Sequence, residues 1–150
     1  MLTAKETILR EIENRLQTSL GIIPYRNPGV PPTTDDMPYL CLFEITDVVK
    51  KTEGQQHNRT VQQRIMTLVI EFYFVGSDEN NLPYEFAEEY PKIRTALLCE
   101  DDGITPGSLA GLCHEILELG TTKIFRPVTG APVAGIGFTF TVMYKEALRK

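Results

Sequence analysis

Hydrophobic positions along the chain fall into two periods, and each predicts an element. Between Thr3 and Gly21, Ile8, Leu9, Ile12, Leu16 and Leu20 recur at helical intervals, which places them on one face of an amphipathic helix. Thr3 followed by Glu6 has the spacing of a capping box, and Gly21 suits a C-terminal stop. The remaining face, with Arg10, Glu11, Glu13, Asn14 and Gln17, reads as solvated.

Beyond Gly21 a period of two governs most of the chain. "GIIPYR" predicts a short edge strand, and the Pro- and turn-rich "NPGVPPTTDDMP" a long surface loop. Tyr39 to Val49 is apolar enough for a strand, the polar "KKTEGQQHN" reads as the turn of a hairpin, and Thr60 to Val75 returns as a second strand. Phe86, Tyr90, Ile93 and Leu97 lie on one face of a second helix, with Asn81 as a candidate cap and Pro91 expected to kink or break it. Residues 108–126 fit either a helix around Leu109, Leu112, Cys113 and Ile116 or a strand from about Cys113, continuing as a hairpin to Lys123–Arg126; the reading leans to strand. In "GIGFTFTVMYK", Ile136, Phe138, Phe140, Val142 and Tyr144 alternate with Thr139, Thr141 and Lys145, the clearest strand in the chain.

Helix, strands, helix, strands without an internal linker implies one α+β domain over residues 1–150. Its expected form is a mostly antiparallel sheet with two helices packed on one face. The strand from Thr60 to Val75 raises a geometric difficulty. At roughly 3.3 Å per residue it spans about 50 Å, whereas a domain of this length is only about 40 Å across. Its outer end is also polar, with Gln62, Gln63 and Arg64. A long β-hairpin projecting past the body satisfies both facts. Because a lone hairpin is marginally stable, a second copy of the chain is the economical support.

Composition narrows the function classes. A hydrophobic fraction of 42% against 23% charged is a globular balance. A net charge of −5 without a basic stripe argues against a protein that grips free nucleic acid. No apolar run approaches the roughly 18 residues of a membrane span, and the N-terminus lacks a signal-peptide core. Cys41, Cys99 and Cys113 are unrelated in spacing and read as reduced thiols, so the sequon at Asn58 is taken as chance.

Candidate chemistry is thin. His57 and His114 are the only histidines, and neither has a cysteine at metal-ligand or nucleophile–base spacing with an orienting signature. Glu100-Asp101-Asp102-Gly103 resembles part of a calcium loop but lacks its later ligands, and reads as a solvated acidic turn. Gly130, Gly135 and Gly137 precede no Gly-Lys-Ser/Thr and lead into a strand, so they are expected to permit a turn and a bulge. Glu88-Glu89 are ordinary surface charges on the second helix. The residues therefore name no catalytic group, no metal and no cofactor, and the reading is of a protein that is not an enzyme.

One resemblance gives these features a common purpose. The N-terminal helix ending near "SLGIIPYRNP", the loop entering a strand through Met37-Pro38-Tyr39-Leu40, the hairpin into "RTVQQRIMTLVIEFYFVG", the helix with Ile93-Arg94-Thr95-Ala96-Leu97 and the closing "GFTFTVMYK" follow one another in a particular order. In that order and in length, the chain resembles phage tail terminator proteins, the minor tail or tail completion proteins of long-tailed phages. The resemblance implies a structural virion protein, assembled in the host cytoplasm as a homo-hexameric ring on the head-proximal end of the tail tube. There it would stop tube polymerisation and meet the head-side connector, with DNA passing through the channel without specific binding and no membrane involved. The hairpin would be the assembly element: Lys50, Lys51, Gln55, His57, Arg59, Gln62 and Arg64 are the candidate contacts with a neighbouring subunit or the tube, against a merely solvated hairpin. The loop from Asn27 to Pro38 is the second candidate contact. Other readings are another head-to-tail or baseplate ring, and a small cytosolic dimeric α+β enzyme or ligand-binding domain.

Overall fold

The structure, a computed structural model, describes residues 2–30, 33–56, 59–78, 80–100, 107–122 and 132–149; the side chains of 34, 51–56, 59–60 and 149 lie outside the description as well. The fold is α+β. Helix α1 (Ala4–Leu20) begins where Thr3 Oγ1 accepts a hydrogen bond from Glu6 N at 3.1 Å and ends at Gly21, whose φ of 71° is left-handed. Strand β1 (Tyr25–Arg26) is a two-residue edge, followed by a 3-10 turn (Thr34–Asp36). The long strands β2 (Tyr39–Gln56) and β3 (Arg59–Val75) come next. Helices α2 (Leu82–Glu89) and α3 (Pro91–Leu98) are separate, because Pro91 starts the second one and breaks what the periodicity predicts as a single element. Strands β4 (Glu115–Thr121) and β5 (Val133–Arg149) complete the chain.

The five strands lie in the order β1-β2-β3-β5-β4, antiparallel except for the β1–β2 pair. The ambiguous region resolves as a strand preceded by turns: Leu109, Ala110 and Gly111 all have positive φ, which no helix tolerates. The proposed continuation at Lys123–Arg126 and Gly130 lie outside the described residues.

Helices cover one face of the sheet. Ile8, Leu9, Ile12 and Leu16 of α1, Phe86 of α2, and Ile93 and Leu97 of α3 pack on Met66, Leu68, Ile70 and Phe72 of β3 and the alternate residues Phe138, Phe140, Val142 and Tyr144 of β5. Phe72 and Phe86 stack with centroids 5.9 Å apart.

Three expectations need correction. The polar stretch after Val49 is not a broad turn: β2 continues through it to Gln56, with Lys51, Thr52 and Glu53 in register with Gln63, Gln62 and Val61. Nor is the hairpin a free two-stranded arm. β5 extends past Lys145 and pairs with β3 along its whole length, from Val75↔Val133 to Arg59↔Arg149, so the long element is a three-stranded ribbon. Sequence texture hid this because the last residues of β5, Glu146 to Arg149, lose the apolar alternation. Gly135 and Gly137 likewise sit in unbroken pairs with Tyr73 and Glu71 and not in a bulge. A Cβ on Gly137 would collide with Thr122 Oγ1, so the threonine side chain would have to move to admit one.

Candidate assembly surface

Seventeen residues make both α1 and β3. At about 1.5 Å per residue the helix spans about 25 Å, and at about 3.3 Å the strand spans about 55 Å. The helix therefore covers only part of the strand, and the buried apolar series on β3 stops at Met66, one alternation before Arg64.

At that boundary a polar cluster replaces the core. Arg64 Nε donates to Asp47 Oδ1 at 3.0 Å and its Nη2 to Asp47 O at 3.3 Å, while Nη1 donates to Gln62 Oε1 at 2.7 Å. The Tyr144 hydroxyl donates to Asp47 Oδ2 at 2.9 Å. Lys5 lies 3.0 Å from Glu44 and 3.6 Å from Asp47, and Ala4 N at the start of α1 donates to Glu146 Oε2 at 3.0 Å. The carboxylate there also suits the positive end of the helix dipole. Hydrogen bonding to Asp47 raises the Arg64 guanidinium, and the bond to Glu44 raises the Lys5 ammonium. Burial pushes Glu44 upward, but the bonds from Lys5 and Asn27 outweigh it and hold the carboxyl below its ordinary value. Burial, reinforced by Asp47, raises the Tyr144 phenol.

The candidate contact residues thus divide. Gln62 and Arg64 are committed to this intramolecular cluster. Lys50 is exposed, with Nζ 3.9 Å from Met143 Sδ. Lys51 and Arg59 have their places in the ladder only, Arg59 beside Gln56 and Arg149, and Gln55 lies where the register shifts between Glu53 and Gln56. His57 is outside the described residues.

Sequence reasoning missed Asp47, Glu44, Tyr144, Lys5 and Glu146 as partners. Glu44 and Asp47 are three apart, which strict alternation puts on opposite faces. A register shift at Ile45 sets them opposite Leu68 and Met66, both on the helix side. Among the residues whose side chains are described, those exposed on that side of the ribbon are apolar: Val49 and Leu148, 46% and 43% accessible, stand in register with Arg64 and Thr60.

The other features noted in the sequence are bound up in structure. Cys41 and Cys113 are buried, and burial pushes both thiols up to about 11, which leaves little thiolate at neutral pH. Glu100 accepts from Ser108 N at 2.8 Å and from Arg15; residues 101–106 lie outside the described residues. A cleft of about 430 Å³ between α1 and α3 is lined by Arg15, Thr95, Cys99 and Glu100 among others. Its arginine is already taken up by Glu11, Glu100 and the carbonyls of Ala96 and Cys99. The charge stabilises the C-terminus of α3 and does not await an anion. In the loop after β1, Asn27 exchanges hydrogen bonds with Glu44, and Val30 is 77% exposed.

Among the described residues no group of three or more His, Cys, Asp or Glu is placed to hold a metal, and no helix is long and apolar enough to cross a membrane. Fold and surface together define an α+β protein with one mixed sheet, helices on a single face and a three-stranded ribbon running past them. No protein-family model matches the chain, and no curated protein matches it.

Proposed function

We propose that the protein is a structural subunit that assembles with copies of itself into a ring, in the manner its resemblance to phage tail terminators implies. On this reading the ring, a homo-hexamer, sits on the head-proximal end of a tail tube, ends tube polymerisation and meets a head-side connector. It belongs to the tail of a virion, with DNA passing through the channel unbound.

The observation that supports the reading is the ribbon. Past Glu146, which meets the start of α1, β3 and β5 stay paired for three more residues to Arg59 and Arg149, and the apolar Val49 and Leu148 stand exposed on this part of the sheet beside a satisfied polar cluster. A soluble monomer gains nothing from that exposure, whereas a neighbouring subunit would bury it.

The test is assembly mass by native mass spectrometry, alone and with tail tubes. A hexamer of the 16.9 kDa chain, formed free or on tube ends, is the expected result. Val49→Asp with Leu148→Asp should abolish it while leaving the fold intact. A hexamer indifferent to both changes, or no hexamer under either condition, would refute the reading. Arg64→Glu is unsuitable as a probe, because it would break the contact with Asp47 inside the subunit.

A further inference from the structure

The face of the sheet turned away from the helices has, among the described residues, no second layer over its middle. By ladder register Thr46, Thr67, Thr141 and Leu117 stand side by side across β2, β3, β5 and β4. Phe43 and Val69 flank that row on one side, Ile65 and Met143 on the other. All of these are half-buried or exposed, while Met66, Leu68, Phe140 and Val142, pointing the opposite way, are fully buried. In these three rows β2, β3 and β5 present no charged side chain.

Charge returns two rows out, with opposite sign at the two ends. On one side stands Glu71, hydrogen-bonded by the Tyr73 hydroxyl. On the other stand Gln63 and Lys145, and Lys50 Nζ reaches over Met143. The Thr67 row is equidistant from the two. A two-fold axis along that row, perpendicular to the strands, brings the acidic end of one copy over the basic end of the other. The same operation places Glu115, on the outer strand β4, over the uncharged Gly120 end of its counterpart.

We propose that a second copy of this chain packs here face to face, sheet on sheet at about 10 Å, with the two Thr67 residues at the axis. The self-complementary charge pattern selects a second copy as occupant, since an unrelated partner has no reason to match its sign reversal about Thr67. Five rows on β2, β3 and β5 and three on β4 offer about 600 Å² per copy, or about 1,200 Å² in all, the lower end of specific interfaces. The pairing is therefore reversible and concentration-dependent. It uses the opposite side of the ribbon from Val49 and Leu148, so it is separable from ring formation.

Sedimentation equilibrium across a concentration series tests it. In the Val49→Asp with Leu148→Asp background, where ring formation does not contribute, the expected result is reversible association to twice the 16.9 kDa chain mass. Thr67→Lys, which sets two like charges against each other at the axis, should weaken association at least tenfold. Lys145→Glu should weaken it as well, and adding Glu71→Lys to that variant should restore it. Thermal unfolding of each variant identifies any that fails to fold, and if Thr67→Lys does so the charge reversal decides. A chain monomeric throughout, association unchanged by Thr67→Lys in a folded protein, or a double reversal no tighter than Lys145→Glu alone overturns the proposal. Loss of the hexamer in Val49→Asp with Leu148→Asp leaves this dimer intact, so the two assembly modes fail independently.

Discussion

Arg64 of β3 is bonded to Asp47 of β2 through both its side chain and its backbone carbonyl, at 3.0 and 3.3 Å, and is thereby turned toward the helices instead of outward to a partner. Asp47 also receives the hydroxyl of Tyr144, a residue 1% exposed. Removing this one carboxylate strands a buried hydroxyl and a half-buried guanidinium together. Asp47→Ala should therefore destabilise the protein by about 2–3 kcal/mol, whereas Tyr144→Phe, which leaves Asp47 with Arg64 and Lys5, should cost only about 1 kcal/mol. Urea unfolding of the two variants measures the difference, and equal losses would contradict the central place given to Asp47.

The start of α1 gives a second, smaller expectation. Thr3 supplies the only side-chain cap described for a helix in this structure, accepting from Glu6 N. Thr3→Ala should lower stability by about 1 kcal/mol, and Thr3→Asp should restore most of it. Thermal unfolding resolves a change of this size in a chain of this length.

That helix was legible from the sequence because its period, its cap and its stop all agree, and β5 was legible over residues 136–144 because alternate residues there are buried without exception. The ribbon was not. Its outer half carries Gln62, Gln63, Lys145 and Glu146, whose polarity reads as loop, although the backbone ladder continues through all of them. The cluster around Asp47 was hidden by a single extra residue at Ile45, which inverts the alternation that any pattern reading must assume. Residues that hold the contact region together thus escaped, while Arg64, picked out for its charge, is half-buried and bonded within the subunit to Asp47 and Gln62.

Stability should be flat from about pH 5 to pH 9 and fall on both sides, with different groups responsible. Glu6, held below its ordinary value of 4.5 by bonds from Arg26 and Arg10, and Glu44, held there by Lys5 and Asn27 against burial, contribute stability above 4.5 that is lost as they protonate below it. On the alkaline side the thiols of Cys41 and Cys113 are raised from 9.0 to about 11 by burial. The unfolded chain then ionises first, so their contribution is complete below pH 9 and declines from there to about 11. The urea midpoint should begin to drop near pH 9, and the drop should be shallower in Cys41→Ala, whatever that variant loses at neutral pH through packing. A Cys41→Ala slope identical to that of the parent would assign the alkaline loss elsewhere.

Two glycines with contrasting surroundings give the sharpest test of the packing at the end of α3. Gly107 N donates to Leu98 O at 2.7 Å, and a Cβ on Gly107 would stand 2.8 Å from Leu97 O and 2.9 Å from Leu98 C. Both are backbone atoms, which no side-chain rotation can move aside. Gly107→Ala must therefore push the turn away from the helix, breaking the bond to Leu98 and loosening Ser108 from Glu100, at a cost of about 1–3 kcal/mol. At Gly120, by contrast, a Cβ would meet nothing within 4 Å, and the same substitution should shift stability by no more than about 0.5 kcal/mol. Thermal unfolding of the pair separates the close approach at Gly107 from the general effect of stiffening the chain, which both substitutions share. If the two variants melted together, the contact between Gly107 and the end of α3 would not be the constraint that the distances make it.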